Sequence, residues 1–155
     1  MRWLFFITLL TFSLHAQSQQ SSGAHQKKII PDSPWVRQDQ PYSRVQSLFK
    51  MIESGIATCN VDEFDQDLGT IVSITIGSGE RRYYSKHQAA SVLSEYFSKR
   101  KPVAFEFSRV HIKGSAPYAT GRLVYVLKGN QESVQVYVSL TKQDSRWTVN
   151  QFNMY

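Results

Sequence analysis

The sequence predicts an α+β fold, a strongly curved antiparallel sheet of about six strands wrapped on three helices. Three observations carry this reading. Apolar residues recur at helical spacing in the first half of the chain, the period changes to two residues in the second half, and the connections between the last four strands are too short for parallel crossovers. Helices gathered at the front and strands at the back give a layered α+β arrangement. A length of 155 residues suits one domain, 41% apolar residues supply a core, and 13% aromatic residues argue against a disordered chain.

The first segment, Met1–Ser18, opens with Arg2. It continues through the apolar run Trp3–Leu14, broken only by Thr8, Thr11 and Ser13, and closes on Ala16-Gln17-Ser18. This is the layout of a secretory signal peptide, shorter than the ~20 residues of a membrane span. Cleavage is expected after Ser18, with Ala16 as the second choice. The mature protein is expected to be soluble, periplasmic or secreted, with no transmembrane segment. Residues 19–41 are rich in Gln and Ser and hold Pro31, Pro34 and Pro41, the composition of a flexible linker whose only apolar anchors are Ile29, Ile30, Trp35 and Val36. The folded domain is expected over 42–155.

Within that domain, Ser43 and Gln46 have capping-box spacing, and Val45, Leu48, Phe49 and Ile52 follow on one face, with Gly55 as a stop. Asn60 and Glu63 open a short second helix whose acids suit the positive end of the dipole and whose Phe64 and Leu68 face inward before Gly69. Ile71–Ile76, Gly77-Ser78-Gly79 and Arg81–Tyr84 read as a hairpin. Ser85 with Gln88 caps a third helix carrying Ala89, Val92, Leu93, Tyr96 and Phe97, ended by Lys99-Arg100-Lys101 and Pro102. Four strands follow, Val103–Ile112, Tyr118–Leu127, Ser133–Thr141 and Trp147–Tyr155. On the third of these, Val134, Val136, Val138 and Leu140 point to the core, and Gln135, Tyr137, Ser139 and Thr141 form an opposite face able to meet a second copy.

This order of elements resembles the nuclear transport factor 2-like superfamily, a cone-shaped α+β fold related in outline to cystatins, over about Tyr42 to Tyr155. Locally, Tyr84-Ser85-Lys86-His87-Gln88-Ala89, Tyr118-Ala119-Thr120-Gly121-Arg122-Leu123 and Val136-Tyr137-Val138-Ser139-Leu140 are similar to a family of exported bacterial proteins of unknown function, typical of Bacteroidota. The resemblance implies a signal peptide, a single cone domain, a homodimer formed through the sheet, and no established activity.

The chemistry legible in the residues is sparse. Without Arg2, 17 basic residues face 12 acids, a net charge of +5, with the basic excess between Glu80 and Arg122. Such a surface suits an anionic lipid or an acidic partner, and export excludes nucleic acid. The lone Cys59 cannot form an intramolecular disulfide or a thiolate zinc site. HxH, HExxH and GxSxG are absent, Gly77-Ser78-Gly79 precedes a strand rather than a helix, and Asp65-x-Asp67-x-Gly69 lacks the other calcium ligands, so no metal and no cofactor are expected. The aromatic set Tyr96, Phe105, Phe107, Tyr125 and Trp147, with Arg109, is the candidate ligand pocket, since binding cavities combine apolar walls with a few polar groups; the same rings equally serve as core filling. The leading functional reading is a non-catalytic binding module for a small apolar or anionic ligand or a cell-envelope protein partner. The alternative is an enzyme of lyase or isomerase type, with Glu106 or His111 as base and Tyr118 or Tyr125 as donor.

Overall fold

A computed structural model describes residues 34–155, with side chains from Tyr42 onward. The expected leader at 1–18 and residues 19–33 of the expected linker lie outside the described residues.

The first helix, α1 (Pro34–Thr58), starts well before Ser43 and takes in the C-terminal part of the stretch read as linker. Proline is tolerated in a first turn, where no amide donor is needed, but Pro41 removes a bond from the interior of the helix, which is why the sequence pattern reads as broken there. Ser43 and Gln46 consequently sit mid-helix. Gly55 is not the stop either. A Cβ at that position would meet the Asn60 carbonyl at 2.7 Å and the Phe64 ring at 2.8 Å, so glycine is required there by close approach. The helix ends one turn later in a Schellman arrangement. Cys59 adopts a left-handed φ of 58°, the Asn60 amide donates to Gly55 O (2.8 Å), and the Cys59 amide donates to Ile56 O (3.3 Å).

The expected second helix is replaced by two single 3₁₀ turns, Val61–Glu63 and Asp65–Asp67. The short stretch from Asn60 to Leu68 is too brief for a stable α-helix, and Phe64, at φ −132°, breaks the run so that its ring enters the core and stacks on Phe152 (6.4 Å, 12°). Among the described residues there are therefore two α-helices rather than three.

The strands are β1 (Leu68–Ile76), β2 (Arg82–Ser85), β3 (Lys101–His111), β4 (Tyr118–Leu127), β5 (Asn130–Gln143) and β6 (Arg146–Met154), with α2 (Lys86–Ser98) between β2 and β3. They form one sheet in the order β2-β1-β6-β5-β4-β3. The hairpin and the four-strand meander are antiparallel as expected, but β1 runs parallel to β6, with Ile74 beside Phe152 and Ile76 beside Met154. The sheet is thus mixed rather than purely antiparallel. Short connections dictate orientation only for strands adjacent in sequence, and β1 and β6 are separated by most of the domain.

One face of the sheet curls around the helices. Val45, Leu48, Phe49, Ile52 and Ile56 of α1 and Ala89, Leu93, Tyr96 and Phe97 of α2 pack against Leu123, Val136, Val138, Leu140 and Phe152. The alternation read along β5 is present, with Val136, Val138 and Leu140 buried and Gln135 exposed. Gly121 of β4 faces inward beneath the Glu106 backbone, where any Cβ would collide with it, and this lets β3 bend over the helices.

Candidate functional site

Five of the six residues nominated from the sequence fall in three separate places, and the sixth, Arg109, lies in none of them. Phe105 and Phe107 are buried on the inner face of β3, edge to face with each other at 5.0 Å, and Phe107 meets Phe49 of α1 at 5.8 Å in the same manner. They fill the region between α1 and the edge strand. Arg109 does not join them. The pairing runs Phe107 with Gly121 and then Arg109 with Thr120, so Ser108 is an extra residue on β3. This bulge reverses the alternation, sending Arg109 to the exposed outer face and Val110 toward α1.

Tyr96 and Tyr125 form the second place, and they enclose a different arginine. The Arg100 guanidinium lies 3.6 Å from the Tyr96 ring centre and 5.3 Å from that of Tyr125, and its Nη1 donates to Tyr96 O at 3.0 Å. Tyr125 donates its hydroxyl to Glu132 Oε2 at 3.0 Å. Arg100 Nε is buried with no hydrogen-bond partner among the described residues, so the ring faces supply what stabilisation the cation receives on that side. Burial pushes the Tyr96 phenol above its ordinary 10.0, against the opposing pull of Arg100. Arg100 reads from sequence as part of a basic helix terminus, and only the fold shows its stacking.

Trp147 marks the third place, a cleft. On α1, Arg44, Ser47, Leu48 and Met51 follow at the spacing of a single stripe, which shares Leu48 with the core face and otherwise lies to one side of it. That stripe faces Trp147 and Arg146 at the start of β6, with Asp67 closing one end, and the space enclosed is about 220 Å³. Its lining combines apolar side chains (Leu48, Met51, Trp147) with two cationic ones (Arg44, Arg146). Arg146 Nη2 lies 3.5 Å from Asp67 Oδ1. Arg146 also lines an adjoining, wider and more polar basin of about 510 Å³ that includes Thr70, Lys86, His87 and Gln143. There Gln143 Oε1 accepts from the Thr70 amide and the Thr148 hydroxyl, both at 3.3 Å, holding the β5–β6 hairpin against β1.

The other flank of α1 has its own cleft, about 240 Å³, between Phe49, Lys50 and Glu53 and, opposite them, Phe107 and Val110 of β3 with Ile112 just beyond its end. Glu53 spans it, its Oε2 accepting the Phe107 amide at 2.7 Å, so that an α1 carboxylate covers one backbone donor of the edge strand.

The acid–base candidates lie apart from all of these. Glu106 is exposed on the outer face across from Arg122. His111 is exposed and stacks on Tyr118 (5.3 Å), which stacks in turn on Tyr137 (5.8 Å). Cys59 is half-buried, its thiol directed at the carbonyls of Phe97 and Arg100, and burial pushes it above its ordinary 9.0, away from a reactive thiolate. Among the described residues no three His, Cys, Asp or Glu side chains converge as metal ligands, and no helix is long and apolar enough to cross a membrane.

A family model described as Domain of unknown function (DUF4783) matches residues 49–154. That span includes Met51, Asp67, Arg146 and Trp147 and stops short of Arg44. The crystal structure of a DUF4783 family protein from Bacteroides uniformis superposes with a TM-score of 0.61 at 16% identity, covering 68% of this chain and 93% of that one. One from Bacteroides fragilis gives 0.59 at 16% identity, covering 67% and 93%. An NTF-2 like protein of unknown function from Shewanella oneidensis gives 0.53 at 14% identity, covering 74% and 98%. No curated protein matches the chain. At these identities the likeness is one of fold, and that fold is the nuclear transport factor 2-like α+β cone.

Proposed function

The chain belongs to the DUF4783 family of domains of unknown function, and we propose that it is a non-catalytic binding module that holds a small apolar or anionic ligand in the cleft between α1 and the β5–β6 hairpin. One observation carries this reading: a single cleft is lined by the apolar side chains of Leu48, Met51 and Trp147 together with Arg44 and Arg146. The positions of Glu106 and His111, exposed on the outer face of the sheet, favour capture over turnover. A thermal-shift screen with small acids, sterols and cell-envelope fragments tests it. A ligand at 100 times its Kd should stabilise by about 2.7 kcal/mol. Ser47→Trp, at an exposed position on the cleft wall, should abolish the shift, and Arg109→Ala should leave both shift and stability within ~0.5 kcal/mol. A hit indifferent to Ser47→Trp places the ligand elsewhere.

The same module is exported and pairs with a second copy through the outer face of the sheet. The support for export is the leader Met1–Ser18, and N-terminal sequencing of secreted protein should begin at Gln19, or at Gln17 for the second site. The support for pairing is a face that leaves Tyr83 70% and Ile71 53% exposed toward its β2 edge and carries the Tyr118–Tyr137 stack on β4 and β5, with the buried Asn153 Oδ1 lacking a donor among the described residues. Tyr137→Glu should convert a dimer to a monomer in sedimentation velocity. A monomeric wild type at high micromolar concentration contradicts it.

A further inference from the structure

If the cleft beside Trp147 is the binding site, as proposed above, its size and charge specify the ligand more closely. The cleft as a whole is small: about 220 Å³, its charged lining included, equals roughly seven volumes of ~30 Å³, close to the share of one water in the liquid. A chain of about six to eight carbons fills it, whereas a sterol does not enter. Its charge is unbalanced, with two guanidinium groups against one carboxylate. The single ion pair there is loose. Arg146 meets Asp67 at 3.5 Å, longer than the 2.7–2.9 Å of a charge-assisted hydrogen bond, and through one nitrogen of a fork that carries five donors. The Arg146 side chain is 62% exposed and that of Asp67 24%, so the arginine can turn without breaking the core.

We propose that the cleft binds a linear monocarboxylate of about six to eight carbons, its tail against Leu48, Met51 and Trp147 and its carboxylate on the Arg146 fork, and that Asp67 is the internal anion which the ligand displaces. In the empty protein Asp67 holds the guanidinium at the mouth of the cleft. The ligand offers the fork a planar bidentate acceptor in its place, and Arg44 on the opposite wall offsets the charge of the two neighbouring carboxylates. Asp67 thus sets a threshold: a carboxylate with too little tail does not repay the exchange.

Isothermal titration calorimetry of the chain with butanoate, hexanoate, octanoate and decanoate, with octan-1-ol as the uncharged control, tests this. Affinity should rise about four-fold per added methylene, the factor to which ~0.8 kcal/mol corresponds, and level off near eight carbons. Octan-1-ol should bind at least ten-fold more weakly than octanoate. Arg146→Gln should weaken octanoate at least ten-fold and leave octan-1-ol unchanged, whereas Asp67→Asn should tighten octanoate several-fold. Both substitutions are at side chains outside the core, and matching thermal midpoints without ligand verify that each variant is folded. Equal binding of octanoate and octan-1-ol, or an Asp67→Asn variant that binds octanoate more weakly, overturns the exchange while leaving the cleft as a binding site. Equal binding of butanoate and octanoate overturns the tail-binding assignment. No heat with any of the five, and no hit in the thermal screen, removes the cleft reading with it.

Discussion

Single residues in this fold act mainly through what surrounds them. Arg100 and Arg109 illustrate it: both are arginines beside aromatic residues in the sequence, yet one is stacked between Tyr96 and Tyr125 and the other is exposed, because one extra residue at Ser108 reverses the alternation. No periodicity rule locates that bulge, so a strict alternation from Phe105 and Phe107 predicts an inward Arg109 that β3 does not deliver. Two buried protons give the residue scale its pH dependence. Burial raises both the Cys59 thiol, from 9.0, and the Tyr96 phenol, from 10.0, so the folded chain holds these protons more tightly than the unfolded chain does. Their contribution to stability is whole below about pH 9 and is lost as pH climbs through the raised values, since the unfolded state ionises first. In urea titrations between pH 8 and pH 11, the midpoint of the wild type should fall relative to that of Cys59→Ala in the lower part of this range and relative to Tyr96→Phe in the upper part. A midpoint that rises relative to both would contradict the sign.

At the scale of elements, the best-read segment is α2. Ser85 and Gln88 stand at the expected positions, the Ser85 amide and hydroxyl both donating to Gln88 Oε1 at 3.0 and 2.9 Å, and the helix ends before Pro102 as its basic tail suggests. Capping is local, decided within four residues, and so it is visible without the fold. Gln88→Ala should cost about 1 kcal/mol in chemical denaturation, within the range for lost caps, and leave the sheet unchanged by circular dichroism. A cost below ~0.3 kcal/mol would mean that packing of Ala89, Leu93 and Phe97 alone holds the helix. The first helix is the opposite case. Its ends at Pro34 and Thr58 depend on a proline admitted inside it and on a glycine kept for contact with Phe64, and both residues carry the opposite meaning in a local reading. The stripe Arg44, Ser47, Leu48 and Met51 escapes a sequence reading for a related reason. It flanks the core face, and helical periodicity finds the core face first.

For the whole molecule, the decisive contact is the one that joins the two halves of the sheet. Phe152 of β6 lies beside Ile74 of β1, stacks on Phe64 from the 3₁₀ segment, and meets Phe97 of α2 edge to face at 6.2 Å. Phe152→Ala should cost about 3–5 kcal/mol, a large share of the 5–15 kcal/mol that holds a domain of this size, and should lower the unfolding of α2 and the sheet together in one calorimetric transition. Separate transitions would mean that the hairpin side and the meander side fold independently. The β1–β2 hairpin, the four-strand meander, the apolar face of β5 and the α2 cap were all determined by the sequence itself, because each depends on spacings of a few residues. The parallel β1–β6 pair, the outward turn of Arg109, the Arg100 sandwich and the cleft between Arg44, Asp67 and Trp147 were decided only by tertiary structure. Each brings together residues far apart in the chain, or follows from a bulge whose placement depends on how the sheet must bend to close over its helices.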